Sequence, residues 1–372
     1  MLKNKMKIIF LVAGGRGGSD YFQGLLDNHS EIMQFPGFLY LEKSFFKIFN
    51  LESDKIKNIP KLFIKSHPHF FDSRILTKER HDKLGKNKNQ FYTVDKIKFE
   101  KNFIKLTNKI KKIKKLDLFQ CLYFSYYLSR GKNIKNKKII FIHSHLVGYT
   151  KNIIQFFNFK KFSIIHAMKN PIEAINSPIK NWLQYEKGKH FFPINLYFHL
   201  DLVFNGIKNL LAINQKVFIA QLEKVKKDNK NVMRDFCKIY KIKYEKSMNK
   251  CTYFGLHWWG DAIGNRWIPK DVKENNSKIN KKIFYERDIR YFEYLAEDII
   301  KNYNYDFISS RKTRSFFNIL PLKCEISVWK NCFKHKNIKH ILSIPYFYLK
   351  RIFFLNKLFV RYRYLPKSLG RK

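Results

Sequence analysis

The sequence predicts an α/β fold in which a parallel β-sheet is flanked by helices. Four short apolar runs occur along the chain, at Met6–Ala13, 138–144, 162–170 and 217–221. They are apolar almost throughout, which is typical of strands that a parallel sheet buries on both faces. Segments with a helical pattern separate the runs, and this alternation indicates a parallel sheet.

The helices are predicted from the residues that follow the runs. A helix at Tyr21–Leu26 comes directly after the first run, with Ser19 and Asp20 as its cap and first-turn residues. The stretch Asp117–Leu128 also has a helical pattern, as does the segment 228–240 after the fourth run.

The composition favours a partner that carries negative charge. The chain has 372 residues, of which 45% are hydrophobic, enough to bury a sizeable core. Lysine and arginine number 74 against 29 acidic residues, which gives a formal net charge of +45. Nucleotides, sulfated or phosphorylated glycans, nucleic acids and membrane surfaces all fit such an excess. Codon bias is an alternative explanation, because lysine, asparagine and isoleucine are abundant together.

Hydropathy and cysteine usage favour a cytoplasmic protein without a membrane span. The apolar run Ile8–Ala13 is too short for the core of a signal peptide, and glycines end it. No uninterrupted run of about 18 apolar residues occurs, so no transmembrane helix is expected. No CxxC pair exists, so we expect no metal site and reduced thiols at all five cysteines. They are Cys121, Cys237, Cys251, Cys324 and Cys332.

Two regions are expected along the chain. Residues 1–310 form a domain with a helical, Lys-rich insertion at about 45–135, and residues 311–372 form a basic, aromatic and helical C-terminal extension. The extension carries sixteen basic residues and one acidic residue, Glu325, a net charge of +15. Such a segment suits an anionic membrane face. The alternative is a helix docked on the domain, with its basic side in water.

A glycine-rich loop follows the first strand. Gly14, Gly15, Gly17 and Gly18 allow the backbone to approach a phosphate closely, and Arg16 adds a permanent charge. Backbone N–H groups in such a loop, ahead of a helix, can cradle an anion. The spacing fits neither GxxxxGK[ST] nor GxGxxG, so a P-loop and a dinucleotide fingerprint are not indicated. A tight glycine turn with a surface arginine is the structural alternative.

Two further pairs of polar residues follow later strands. His143 and His145 are two apart at the end of the second strand, where parallel sheets place ligands. Lys169 ends the third strand, and Ser177 lies eight residues on. A cation and a hydroxyl in this arrangement can bind one phosphate together. Structural roles are the alternative, with Ser177 as a cap before Pro178.

Several segments resemble the motifs of sulfotransferases. "GRGGSDYFQGLLDNHSEI" is similar to the loop that holds the 5′-phosphosulfate, and "KNPIEAINS" is similar to the 3′-phosphate motif. "IHSHL" resembles the strand end that carries the catalytic histidine, and "FIAQLEKVKKD" resembles the segment that follows. "TYFGLHWWGD", at Thr252–Asp261, resembles a tryptophan-containing segment of bacterial members. The matches keep the family's order between about residues 6 and 308.

The resemblance implies a P-loop-like sulfotransferase fold that uses 3′-phosphoadenosine 5′-phosphosulfate as the sulfuryl donor. Lys169 and Ser177 would hold the 3′-phosphate. His145 would take the proton from the acceptor hydroxyl, and His143 would donate a hydrogen bond to the sulfonyl oxygens. Arg16 would stabilise the charge that grows on the bridging oxygen of the leaving nucleotide. Six consecutive residues would hold the 5′-phosphosulfate end: Gly15, Arg16, Gly17, Gly18, Ser19 and Asp20.

The sequence departs from the family pattern at four positions. Asp20 stands where threonine is common, Lys169 replaces arginine, Leu222 replaces tyrosine, and Pro178 disturbs the helix that should carry the serine. These departures bear on donor affinity. The segment "FIKSHPHF" offers His67 as a competing base.

The expected activity is sulfuryl transfer to a hydroxyl or amine of a glycan, a lipid-linked sugar or a small metabolite. It requires no metal. We expect a cytoplasmic enzyme with peripheral contact to the inner face of the membrane through residues 311–372, and no specific nucleic-acid partner. The alternatives are a P-loop-type nucleotide kinase, against which the missing lysine argues, and a basic protein that binds polyanions or membranes without catalysis.

Overall fold

The computed structural model describes most of the chain. The residues described are 6–41, 43–49, 52–77, 81–184, 190–213, 215–260, 283–309, 319–356, 360, 362 and 364–370. The elements along them are, in order, β1 (Lys7–Ala13), α1 (Ser19–Leu25), β2 (Ile32–Met33), α2 (Lys43–Lys47), α3 (Ser53–Ile56), α4 (Ile59–Ser66), α5 (Lys96–Thr107), α6 (Lys115–Ser129), β3 (Ile139–His145), α7 (Val147–Phe157), β4 (Ser163–Met168), α8 (Pro171–Gln184), α9 (Pro193–Leu211), β5 (Lys216–Gln221), α10 (Leu222–Lys227), α11 (Asn229–Tyr240), β6 (Thr252–Tyr253), β7 (Leu256–His257), α12 (Glu286–Leu295), α13 (Glu297–Asn302), α14 (Lys323–Lys334), α15 (Ile338–Leu342), α16 (Ile344–Phe354) and β8 (Lys367–Ser368).

Six of these strands form one parallel sheet in the order β2-β3-β1-β4-β5-β8. The four apolar runs are its long strands, so the predicted α/β fold with a parallel sheet and flanking helices is confirmed. The chain passes from β1 to β3 on one side and later crosses to β4 on the other. Ligands of parallel α/β proteins bind at such a switch point, outside the carboxyl ends of the strands.

The central strand β1 divides its side chains between two hydrophobic cores. Phe10 and Val12 pack into a core that includes residues of α5, α6 and α7. Ile9 and Leu11 pack on the other face, with residues of α1 and α11. All four side chains are fully buried. Burial on both faces explains why this run is apolar throughout and does not alternate with polar residues.

Two local expectations at helices are corrected. Gly18, and not Ser19, is the cap of α1, and no side chain caps this helix end. Pro178 lies inside α8, which continues through it from Pro171 to Gln184. Proline removes one backbone donor from a helix, and here the helix that carries Ser177 persists around it.

The described residues of the basic C-terminal segment pack on the rest of the fold. Helices α14 and α16 contact α9, and Val328 and Leu355 share a hydrophobic core with α8, α9 and α12. Lys367 and Ser368 form β8, which pairs with β5 and completes one edge of the sheet. The segment is therefore docked on the domain through these inner residues, while other side chains of α15 and α16 are exposed. In the described part of the chain, no helix is long and apolar enough to cross a membrane.

A buried ion pair joins α16 to α14. The Arg351 guanidinium donates to both carboxylate oxygens of Glu325, and both N–O distances are 2.9 Å. Glu325 also accepts the Leu322 N–H at 2.8 Å at the start of α14. Arg351 is only 1% exposed, so removal of either partner would leave a charge buried without its counter-ion.

Candidate functional site at the carboxyl ends of the strands

The glycine loop lies at the carboxyl end of β1 and against the end of β4. The Gly14 N–H donates to the Ala167 carbonyl at 2.7 Å. A Cβ on Gly17 would lie 2.1 Å from that carbonyl oxygen, which is a steric clash. Gly15 and Gly18 have φ angles of +71° and +80°, in the left-handed region that glycine adopts without strain. The backbone geometry therefore requires glycine at three positions of the loop.

Arg16 projects from this loop near a histidine that sequence motifs do not indicate. His199 lies on α9, and burial together with the charges of Arg16 and His145 lowers its pKa to about 4. Val203 follows His199 by one helical turn and approaches Gly15, because a Cβ on Gly15 would lie 3.1 Å from its side chain. Helix α9 thus presents His199 toward the loop and toward the end of β3.

The histidine pair lies at the end of β3, where the ladder to β1 is interrupted. Leu11 pairs with His143 and Val12 pairs with His145, so Ser144 is an extra residue in the register. His145 has a φ of +63°, in the left-handed region. The two rings are neighbours, with His145 Nδ1 3.5 Å from His143 Nε2. The pair therefore reaches the same edge of the sheet as the glycine loop.

Gln23 on α1 fixes the orientation of His143. Its amide nitrogen donates to the carbonyls of Phe35 and Gly37, at 2.8 and 3.0 Å. The amide oxygen is therefore the atom that faces His143 Nδ1, at 2.9 Å, and it can only accept. His143 must then carry its proton on Nδ1 and its lone pair on Nε2, which points to His145.

This hydrogen-bond chain bears on the tautomer of His145. Since the Gln23 contact leaves His143 Nε2 as an acceptor, the 3.5 Å contact to His145 Nδ1 favours the His145 tautomer that carries its proton on Nδ1. Burial, with a smaller effect of His145, lowers the pKa of His143 well below its usual range. His143 is therefore neutral at pH 7. Phe38 stacks on the His145 ring, with centroids 5.0 Å apart.

Ser19 and Asp20 lie beyond the loop, in the first turn of α1. Ser19 is buried, and the Asp20 carboxylate lies 3.7 Å from His143 Nδ1. The Tyr253 hydroxyl donates to the Asp20 carbonyl at 3.0 Å, which joins the segment Thr252–Asp261 to α1. The last residue of that segment, Asp261, lies outside the described residues.

Lys169 directly follows β4, the strand against which the glycine loop packs, and Ser177 lies within α8. Lys169 is buried and lies close enough to Glu223 to lower that carboxyl's pKa, although burial of Glu223 has the larger, opposite effect. Ala174 of α8 approaches Gly15, since a Cβ on Gly15 would lie 3.8 Å from the Ala174 Cβ. Ser177 follows Ala174 by three residues, on the same face of the helix.

The competing histidine, His67, has a structural environment. Its Nε2 accepts the Tyr40 N–H at 3.1 Å, and its Nδ1 lies 2.8 Å from the Ser66 hydroxyl. It is fully buried, and burial with the nearby His69 lowers its pKa to about 3. Both ring nitrogens are thus engaged in a buried position. Among the two candidates, the geometry favours His145 as a base.

Three residues of this site have no motif in the sequence. His199 lies on α9, a helix with no predicted counterpart in the sequence, and Phe38 lies in the loop after β2. Gln23 lies within the loop-and-helix segment itself, four residues after Ser19. Of the three, it is the residue that could have been predicted, because it is one helical turn from Ser19 on the same face of the helix. A comparison with known protein families and with curated proteins finds no match for the chain.

Proposed function

We propose that this protein is a sulfotransferase that moves the sulfuryl group of 3′-phosphoadenosine 5′-phosphosulfate to a hydroxyl or amine acceptor. The observation that carries the proposal is the chain from Gln23 through His143 to His145. It orients the His145 ring, with Nδ1 toward His143 and Nε2 as the nitrogen that can accept a proton, beside a glycine loop that contains Arg16. Transfer of an anionic group to a hydroxyl requires a base for the hydroxyl proton and a positively charged site that binds the anion, and the two lie next to each other here.

In this mechanism, the site residues position the reactants and stabilise charge. His145 Nε2 takes the acceptor proton as the acceptor oxygen forms its bond to sulfur. The bond from sulfur to the bridging phosphate oxygen breaks, and adenosine 3′,5′-bisphosphate leaves. Arg16 and the loop N–H groups stabilise the negative charge that grows on the leaving oxygen. His143 keeps the His145 proton on Nδ1 throughout.

We assign the 3′-phosphate on the donor's ribose to the side of the loop next to β4 and α8, away from the histidines of β3. Lys169, which follows β4, and Ser177, on α8, would bind it, and the approach of Ala174 to Gly15 supports this because it brings α8 against the loop. Glu223 is close to Lys169 and weakens this part of the assignment, because a carboxylate repels a phosphate. We also propose the P-loop-like sulfotransferase fold, on the strength of the β3-β1-β4-β5 order and a glycine loop after the central strand.

The acceptor is proposed as a glycan, a lipid-linked sugar or a small metabolite. Phe38 stacks on His145 and also contacts Tyr40, with centroids 4.5 Å apart, so aromatic rings border the base on one side. Such rings can stack on a sugar face. We place the enzyme in the cytoplasm, where the five buried, unpaired cysteines fit a reducing environment.

Calorimetry with adenosine 3′,5′-bisphosphate tests the donor site. We expect binding by the wild type, weaker binding by Arg16→Ala and Ser177→Ala, and unchanged binding by His145→Asn. Asparagine is used because it tolerates a left-handed backbone. In a transfer assay with sugar and phenol acceptors, His145→Asn should lose roughly 10²–10⁴-fold in rate.

The matched control for the base is His67→Asn, with the transfer rate normalised to folded protein. Full transfer by His145→Asn would exclude His145 as the base. Preference for ATP over the bisphosphate would favour a nucleotide kinase instead. Absence of saturable binding by either nucleotide would refute the sulfotransferase.

A further inference from the structure

We propose that a surface on α15 and α16 docks on an anionic lipid bilayer. The surface is the apolar stripe formed by Ile338, Leu342, Tyr346, Leu349 and Phe353. All five side chains are at least half exposed. Their spacing of four, four, three and four residues is the spacing of one helical face. Ser343 joins the two helices in a right-handed helical conformation, with φ −82° and ψ −11°, so the chain passes from α15 to α16 without a reversal.

The opposite face of α16 is held against the fold, so the stripe has a fixed orientation. Arg351 is buried in its ion pair with Glu325. Phe347 lies against Tyr197 of α9, with ring centroids 6.0 Å apart. Since this inner face is packed, the outer face cannot turn inward to bury the stripe without breaking these contacts.

Cations border the stripe, and no exposed acidic residue does so in the described segment 319–356. Lys334, Lys336 and Lys339 are exposed around α15, and Lys350 lies over the Tyr346 ring at 5.5 Å. Glu325, the one acidic residue of this segment, is buried against Arg351. An apolar stripe with lysine flanks is typical of helices that lie in the interface of an anionic membrane.

The residue types of the stripe favour an anionic bilayer over two other partners, a second copy of this chain and a nucleic acid. A second copy of the chain would bring its own lysines against these, and like charges oppose such pairing. Nucleic acid is bound by cations and aromatic rings, and exposed isoleucine and leucine add nothing to that recognition. Aliphatic side chains gain most from the acyl boundary of a membrane.

Helix α9 connects this surface to the candidate site. Its residue Tyr197 lies under Lys350 at 4.8 Å, and Ile194 and Phe198 on the same helix are exposed. His199 of the same helix faces Arg16 and His145. If the proposed transferase activity holds, this arrangement favours an acceptor that is anchored in the membrane. The docking proposal itself does not depend on that activity.

Vesicle sedimentation of the full chain, without nucleotide, tests the proposal. We expect binding to vesicles of phosphatidylcholine with about a third phosphatidylglycerol, little binding to phosphatidylcholine alone, and loss in high salt. Leu342→Glu should lower the partition coefficient by roughly tenfold or more. Leu76→Glu is the matched control, because Leu76 is 77% exposed and Leu342 is 75% exposed, and it should bind like the wild type.

A second pair of variants separates an effect on membrane binding from an effect of misfolding. Ile338→Glu should behave like Leu342→Glu, while Ile97→Glu should leave binding unchanged, and all four variants should unfold at the wild-type urea concentration. Equal vesicle binding by stripe and control variants would overturn the proposal. A concentration-dependent dimer that Leu342→Glu abolishes, without vesicle binding, would assign the stripe to a second copy. Duplex DNA binding that is as tight as vesicle binding and insensitive to Leu342→Glu would also overturn it.

Discussion

Gly17→Ala should displace the glycine loop and destabilise the protein. The new methyl would lie 2.1 Å from the Ala167 carbonyl oxygen, 2.6 Å from its carbon and 2.8 Å from the Met168 Cα. These are backbone atoms of β4, held between β1 and β5, so they cannot rotate away. Ordinary contact begins at 3.4 Å, so the loop must move by about 1.3 Å. Overpacking of this kind costs about 1–3 kcal/mol.

Urea unfolding measures the loss, and calorimetry with adenosine 3′,5′-bisphosphate measures its effect on the site. Gly148→Ala is the matched control, since Gly148 lies in α7 and a methyl there meets no atom within 4 Å. That change should be neutral or stabilise by up to about 1 kcal/mol. A Gly17→Ala protein as stable as the control, with wild-type bisphosphate affinity, would refute the close approach of loop and strand.

Three further predictions concern stability and reactivity. His81 is fully buried, neither ring nitrogen has a hydrogen-bond partner among the described residues, and burial with the nearby His69 lowers its pKa to about 3. The unfolded chain binds a proton at this histidine below about pH 6.5 and the folded protein does not, so the free energy of unfolding decreases as the pH is lowered. His81→Phe should remove about 2 kcal/mol of the decrease between pH 7 and 5, measured by urea unfolding. The same pH dependence in the variant as in the wild type would contradict this. Arg351→Met should lower the free energy of unfolding by about 3–5 kcal/mol, because it leaves the Glu325 carboxylate buried without its counter-ion. The additional change Glu325→Met should restore much of this stability, because it removes that carboxylate too. A double variant no more stable than Arg351→Met in urea would contradict this. All five cysteines are buried and burial raises the pKa of Cys121 and Cys237 to about 12, so a thiol reagent should label them only after unfolding, and rapid native labelling contradicts this.

The long strands could be predicted because their signal is local. The run at β1 is apolar at every inner position, and both faces of the strand are covered. The short edge strands could not be predicted. Residues Ile32–Met33 and Lys367–Ser368 form β2 and β8 only because β3 and β5 offer unpaired edges. Two residues carry no period of their own, so long-range pairing decides their structure.

The candidate site was predictable only in part, for a related reason. The glycine loop and the histidines of β3 each follow a strand, and parallel strands deliver their ends to one edge. His199 reaches that edge from α9, more than fifty residues after β3, and nothing in its neighbours marks it. The hydrogen-bond chain that begins at Gln23 depends on the carbonyls of Phe35 and Gly37, which only the folded chain brings together.

The close approach of Gly17 to Ala167 and Met168 of β4 leaves the glycine loop little room to change shape. Its backbone is anchored through Gly14 to the Ala167 carbonyl and has little freedom left to lose. A loop that is already ordered loses little conformational entropy when it binds a ligand. An anion should therefore associate with it in a single kinetic phase, without a slow rearrangement.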